Sequence, residues 1–120
     1  MKKLALVVDD TPYIREDIRD ILEEMGYEVY EANDGLEALK MYKKIKPAVV
    51  TMDINMPNMH GLAATKEISN YDRNAKILIC STMVMFPNYQ KMGREAGAKS
   101  FLSKPFTDEE FVEAFSKLFL

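Results

Sequence analysis

Six hydrophilic side chains follow short runs that read as strands. Asp9 and Asp10 follow Leu4–Val8, Asp53 follows Ala48–Met52, Ser81 and Thr82 follow Lys76–Cys80, and Lys104 follows Ser100–Ser103. Three carboxylates within a few ångströms repel one another, so such a cluster persists only with a cation or a proton among them. A donor set made of oxygen alone suits Mg²⁺, a hard ion that keeps several waters and binds through one or two carboxylates plus a phosphate. A carboxylate attacks phosphorus poorly unless the incoming negative charge is screened. Mg²⁺ and the ammonium of Lys104 can screen it together, and Ser81 can donate its hydroxyl to a further phosphoryl oxygen. Taken singly, an aspartate after a strand is usually a cap and a Lys-Pro pair usually a turn. Taken together, these residue types point to phosphoryl transfer onto Asp53.

Residues spread over nearly the whole chain can meet only if the fold gathers the ends of those runs. The chain alternates short apolar runs with helical patterns in five such units, the signature of a parallel sheet covered by helices on both faces. In open sheets of this kind ligands bind outside the carboxyl ends of the strands, where all six residues lie. Leu4–Val8 reads as a strand buried on both faces. Thr11 is placed to cap a helix with Pro12 at its first position, and Ile14, Ile18, Ile21, Leu22 and Met25 follow at helical spacing up to Gly26. Tyr27–Glu31 alternates and predicts an edge strand. Asn33-Asp34-Gly35 turns into a helix carrying Leu36, Ala38, Leu39 and Tyr42, which ends before Lys46-Pro47.

Ala48–Met52 is the third predicted strand. The loop Ile54 to His60 leads to a helix from Gly61 with Leu62, Thr65 and Ile68 inward. After the fourth strand, Lys76–Cys80, the stretch from Met83 to Gly93 predicts a loop and a short, poorly amphipathic helix ended by Gly97. Ser100–Ser103 is a short fifth strand. Thr107-Asp108-Glu109-Glu110 has capping-box spacing and opens a last helix whose inner face is Phe111, Ala114, Phe115 and Leu118.

With 120 residues, 48% of them apolar and 29% charged, one domain spanning 1–120 with an ordinary globular core is expected, without an attached output domain. Sixteen Lys and Arg are scattered among nineteen acids for a net charge of −3, which argues against nucleic acid as a partner. The N-terminal apolar run is too short for a signal peptide or a membrane span, so a cytoplasmic location is expected. Cys80, the only cysteine, sits in Ile77-Leu78-Ile79-Cys80 and reads as a buried small hydrophobe. His60, the only histidine, reads as a surface residue and not as a metal ligand.

The motifs Asp9-Asp10, Asp53-Ile54-Asn55-Met56-Pro57-Asn58-Met59-His60-Gly61, Ser81-Thr82 and Lys104-Pro105-Phe106 closely resemble those of two-component response-regulator receiver domains, above all the single-domain chemotaxis regulators of the CheY type. The resemblance covers the whole chain. It implies a flavodoxin-like doubly wound (βα)5 fold of class α/β, with a five-stranded parallel sheet in the order 2-1-3-4-5. It further implies that Asp53 accepts a phosphoryl group from the phosphohistidine of a sensor histidine kinase, and that Mg²⁺ is held by Asp9, Asp10, Asp53 and the backbone carbonyl of Asn55. Ser81 and Lys104 would bind phosphoryl oxygens, Phe101 would turn inward when Ser81 moves, and Lys104-Pro105 would be a cis peptide.

Three positions depart from the family's usual residues. Thr82 stands where a small residue is common, which implies narrowed access to Asp53. Phe101 often has Tyr as its counterpart; lacking a hydroxyl, its inward state is expected to rest on burial alone. Met83 to Tyr89 is unlike common members and borders the face that the family uses for partners. The expected output is phosphorylation-dependent binding of a monomer to another protein, such as a flagellar motor switch, rather than turnover as an enzyme. Two alternatives remain open: a phosphorelay intermediate that hands the group to a histidine phosphotransfer protein, and an unphosphorylated pseudo-receiver binding module.

Overall fold

The computed structural model describes residues 2–120. Strands and helices alternate along the chain: β1 Leu4–Val8, α1 Pro12–Glu24, β2 Glu28–Ala32, α2 Gly35–Ile45, β3 Val49–Met52, α3 Gly61–Tyr71, β4 Ile77–Ser81, α4 Pro87–Ala96, β5 Ser100–Ser103 and α5 Asp108–Ser116. The five strands are parallel, in the order β2-β1-β3-β4-β5. This is the flavodoxin-like doubly wound arrangement that the motif order implied, with β2 at an edge as its alternating pattern predicted.

Side chains alternate across the sheet, so each strand feeds two cores. Ala5 and Val7 face one side, where Ile18 and Leu22 of α1 and Phe111 and Phe115 of α5 cover them. Leu6 and Val8 face the other, under Ala38 and Tyr42 of α2 and Ala64 and Ile68 of α3. Phe111 and Phe115 stack with ring centroids 5.8 Å apart. Each such large side chain, once fully buried, contributes about 1.5–3 kcal/mol to the fold. Cys80 lies among them, and burial pushes its thiol pKa up to about 12, in keeping with a packing role.

Local chemistry accounts for the element ends and for several departures from the sequence reading. Gly26 takes a φ of 97°, and the Tyr27 N–H bonds back to Leu22 O at 3.0 Å. Tyr27 therefore closes α1, and β2 starts one residue later than its pattern predicted. Thr11 occupies the N-cap position of α1, yet its side chain caps nothing; instead its N–H donates to Asp9 Oδ1 at 2.9 Å. Asp34 caps α2 by accepting from Glu37 N at 2.8 Å. Thr107 and Glu110 form the predicted capping box of α5.

The largest difference lies after β4. Ser81 belongs to the strand, paired with Ser103, and a 3-10 turn over Thr82–Met85 follows where a loop was predicted. The Ser81 hydroxyl caps that turn by accepting from Met83 N at 3.1 Å, a role that only the local backbone geometry reveals. α4 then starts with Pro87 and ends at Gly97 with a φ of 115°. Among its own residues only Gly93 is buried, yet polar and apolar residues segregate along α4 nearly as sharply as along α1, so the expectation of poor amphipathicity is corrected.

Candidate functional site

The carboxyl ends of β1, β3, β4 and β5 converge on one acidic cleft. Asp9 and Asp53 are buried and Asp10 is exposed; one carboxylate oxygen from each lies within 4.8 Å of the other two. Lys104 stands over the pair of buried acids, its Nζ 2.5 Å from Asp9 Oδ2 and 3.5 Å from Asp53 Oδ2. Every polar atom of Asp9 is engaged. Its N–H donates to Ala32 O at 3.2 Å, its carbonyl accepts from Arg15 Nη1 at 2.5 Å, Oδ1 accepts from Thr11 N, and Oδ2 accepts from Lys104. Asp53 Oδ1 accepts from the N–H of Ile54 at 2.8 Å.

Burial pushes the Asp53 carboxyl above its ordinary range, the Lys104 cation pulls it back, and the charge on Asp9 raises it again; the balance is upward. Lys104 feels the opposite forces. Burial lowers its pKa, but the hydrogen bond to Asp9 and the charges of Asp53 and Asp9 more than offset that, so it stays protonated. The cleft thus holds more negative charge than the Lys104 ammonium balances, and its ligand atoms are all hard oxygens. Such a donor set fits Mg²⁺, with the exposed Asp10 leaving a side open to water and to an oxyanion.

The remaining predicted residues lie around this centre. Asn55 stands two residues beyond Asp53, exposed at the start of the following loop. Ser81 is buried at the end of β4; its carbonyl accepts from Lys104 N at 3.3 Å while its hydroxyl caps the 3-10 turn. Lys104-Pro105 is a cis peptide. Thr82 is exposed, at the end of a groove of ≈ 650 Å³ that also touches Lys104, Pro105 and Phe106.

Phe101 is half-buried and packs, as Met83 and Tyr89 do, against the core that contains Ile79 and Val84, and the Arg94 guanidinium sits over its ring, 5.2 Å from the centroid. A cation–π contact thus holds the ring in this half-buried position. His60 is exposed, as expected, and in addition caps α3 by accepting from Leu62 N at 3.2 Å.

Two residues that shape the site carried no signal in the sequence. Arg15 looks like any charged position of an amphipathic helix, yet it reaches the carbonyl of Asp9. Gly61 reads as a helix start, yet a Cβ there would lie 1.8 Å from the carbonyl oxygen of Asp53. The glycine lets α3 begin directly against the end of β3.

Residues 5–116 match the family described as the response regulator receiver domain. The chain belongs to that family. As a receiver domain it is 48% identical, over 122 residues, to the chemotaxis protein CheY of Thermotoga maritima, with 98% of each chain covered. Its fold superposes with a TM-score of 0.92 on CheY in a CheX–CheY–BeF3–Mg²⁺ complex from Borrelia burgdorferi, at 28% identity, covering 98% of this chain and 90% of that one. It superposes with a TM-score of 0.85 on the Thermotoga maritima response regulator TrrA in complex with Mg²⁺ and BeF, at 36% identity, covering 98% and 99%. It is thus a CheY-like receiver domain of the two-component and chemotaxis signalling class, with an acidic cluster able to hold a metal ion. Among the described residues no helix is long and apolar enough to cross a membrane.

Proposed function

We propose that this receiver domain is a Mg²⁺-dependent phosphoacceptor switch, phosphorylated on Asp53 by a sensor histidine kinase and read out by phosphorylation-dependent protein binding. One observation carries the reading: three carboxylates within 4.8 Å, two of them buried, with a single close ammonium over them. A purely structural cluster of this kind would cost stability that the one ammonium only partly offsets. Its arrangement suits a site whose missing positive charge arrives from outside.

In this reading Asp9, Asp10 and Asp53, with the Asn55 carbonyl, hold the ion, which when bound supplies positive charge against the oxygens of the incoming group. The Asp53 carboxylate attacks the phosphorus of a phosphohistidine; an O–P bond forms, the N–P bond breaks, and the imidazole leaves. Lys104, already protonated, exchanges part of its contact with Asp9 for a phosphoryl oxygen. The Ser81 hydroxyl turns to a second oxygen, and Phe101 moves inward as Ser81 leaves its place. Thr82, exposed beside Lys104, narrows the approach to Asp53. The output is a change of the surface around α4, β5 and α5, where Met85 and Phe86 stand exposed, seen by a downstream protein such as a flagellar motor component. The same reading takes residues 1–120 as a single monomeric domain acting in the cytoplasm.

Beryllofluoride is a tetrahedral anion with the shape of a phosphoryl group, and it accompanies Mg²⁺ in the two solved relatives described above. Incubation with Mg²⁺ and either beryllofluoride or a small phosphodonor, followed by NMR or intact mass, is the direct test. Shifts at the strand ends and one added phosphoryl group are expected in the native chain and not in Asp53→Ala. Identical behaviour of the two proteins overturns the proposal.

A further inference from the structure

We infer that Arg15 is a positioning residue for the cation site: its guanidinium clamps the peptide joining Asp9 to Asp10 and thereby fixes the exposed Asp10 carboxylate against the two buried ones. This rests on the reading of Asp9, Asp10 and Asp53 as that site.

Arg15 comes from the first turn of α1, and its side chain is 16% exposed. Nη1 donates to Asp9 O at 2.5 Å and Nε donates to Glu31 Oε1 at 2.9 Å. Glu31 belongs to the neighbouring strand β2, opposite Val7, and its second oxygen pairs with Arg19. The guanidinium therefore ties two elements, α1 and β2, to the carbonyl that follows β1. A planar fork with fixed donors does this with little loss of freedom, as a flexible ammonium could not.

Asp9 itself is held by its strand, by Thr11 and by Lys104. Asp10 is exposed, so its place depends on the backbone that carries it. That backbone starts at the Asp9 carbonyl, the atom that Arg15 grips. A partner that orients a metal ligand without touching the metal commonly governs affinity about ten- to a hundred-fold.

The sign of the effect separates positioning from electrostatics. Arg15 is a cation beside a site for a cation, so by charge alone its removal would tighten Mg²⁺ binding. Glu31 largely cancels that charge, and the clamp dominates. Removal should then weaken binding.

The test is a Mg²⁺ titration of the metal-free chain, native and Arg15→Met, by calorimetry, with ¹⁵N relaxation of the Asp10 and Thr11 amides in the absence of metal and a urea curve for each protein. The expected result is a Kd raised about ten-fold in Arg15→Met, with Asp10 more mobile before any metal is added. Arg15→Lys, which keeps the charge and one donor, should fall between. Equal or tighter Mg²⁺ binding by folded Arg15→Met overturns the inference, as does an unchanged Asp10 amide. Should Arg15→Met not fold, Arg15→Lys decides alone: unchanged affinity overturns the clamp. A native chain that binds no Mg²⁺ overturns the cation-site reading and this inference with it. Native binding with unaltered variants overturns only this one.

Discussion

Lys104 Nζ is a full ångström closer to Asp9 than to Asp53, 2.5 Å against 3.5 Å. The residue implied as a phosphoryl ligand is thus engaged first with a proposed metal ligand. An ammonium on Asp9 Oδ2 competes with any cation for the same oxygen. Lys104→Met should therefore bind Mg²⁺ more tightly by a few-fold, since relief of about 1 kcal/mol of competition is worth roughly five-fold. The same variant should accept beryllofluoride less well, having lost a cation for its fluorines. Calorimetric titration with each ligand checks both directions; weaker Mg²⁺ binding would remove the idea of competition.

The raised Asp53 pKa makes a prediction about the metal-free fold. A carboxyl whose pKa is higher folded than unfolded binds protons more strongly in the native state, so its contribution to stability declines as pH rises through that interval. Asp53→Asn, which cannot ionise, should gain on the native chain from about the ordinary carboxylate range upward, and the gain should level off once pH passes the raised native pKa. Urea midpoints of both proteins from pH 4 to pH 7 without divalent ions measure it. Mg²⁺ should then raise the midpoint of the native chain and not that of the variant.

Gly61→Ala would drive a methyl group to within 1.8 Å of the Asp53 carbonyl oxygen, so β3 or α3 must shift. Overpacking of this kind costs about 1–3 kcal/mol, and because the displaced atom belongs to Asp53, Mg²⁺ affinity should fall too. Gly26→Ala is the control. A Cβ there meets nothing within 4 Å, and only the φ of 97° opposes it. It should cost about 1–2 kcal/mol from backbone strain and leave metal binding unchanged.

Far from the site, the Tyr42 hydroxyl donates to Asp72 Oδ2 at 2.7 Å and holds that carboxyl below its ordinary range. A depressed carboxyl pKa stabilises the fold above the unfolded value and loses that contribution as pH falls through the native one. Tyr42→Phe should cost about 1 kcal/mol at neutral pH, a modest figure because Asp72 is partly open to solvent. The difference from the native chain should shrink as pH falls below about 4, where Asp72 takes up its proton first in the unfolded chain and, at lower pH, in the native one. Chemical denaturation at pH 7 and pH 3 gives both numbers.

Much of this was legible in the sequence because strand ends are marked by abrupt changes of hydrophobicity. Asp9 and Asp53 each break an apolar run, Lys104 follows a short strand, and in a parallel sheet such ends line up at one edge. Phe111, Phe115 and the capping box of α5 were equally clear, since periodicity and capping are local properties. Arg15 and Gly61 were not, because what distinguishes them is a contact with backbone atoms of a distant or differently folded segment. The 3-10 turn at Thr82–Met85 was hidden for another reason: its cap is a strand residue, Ser81, and nothing in Met83-Val84-Met85 signals a turn. Nor could Arg94 be matched to Phe101 without knowing where α4 lies over β5.

The Ser81 hydroxyl accepts from Met83 N, and its carbonyl accepts from Lys104 N. One residue therefore joins the two segments, by its side chain to the turn that leads to Met85 and Phe86 and by its main chain to the segment that bears Lys104. A serine oxygen that swings round to donate to an anion in the cleft gives up the Met83 amide in the same motion. The apolar pair then rides on a turn without its cap. In the proposed switch, arrival of an anion and loosening of a surface some residues away would be two ends of a single exchange of hydrogen bonds.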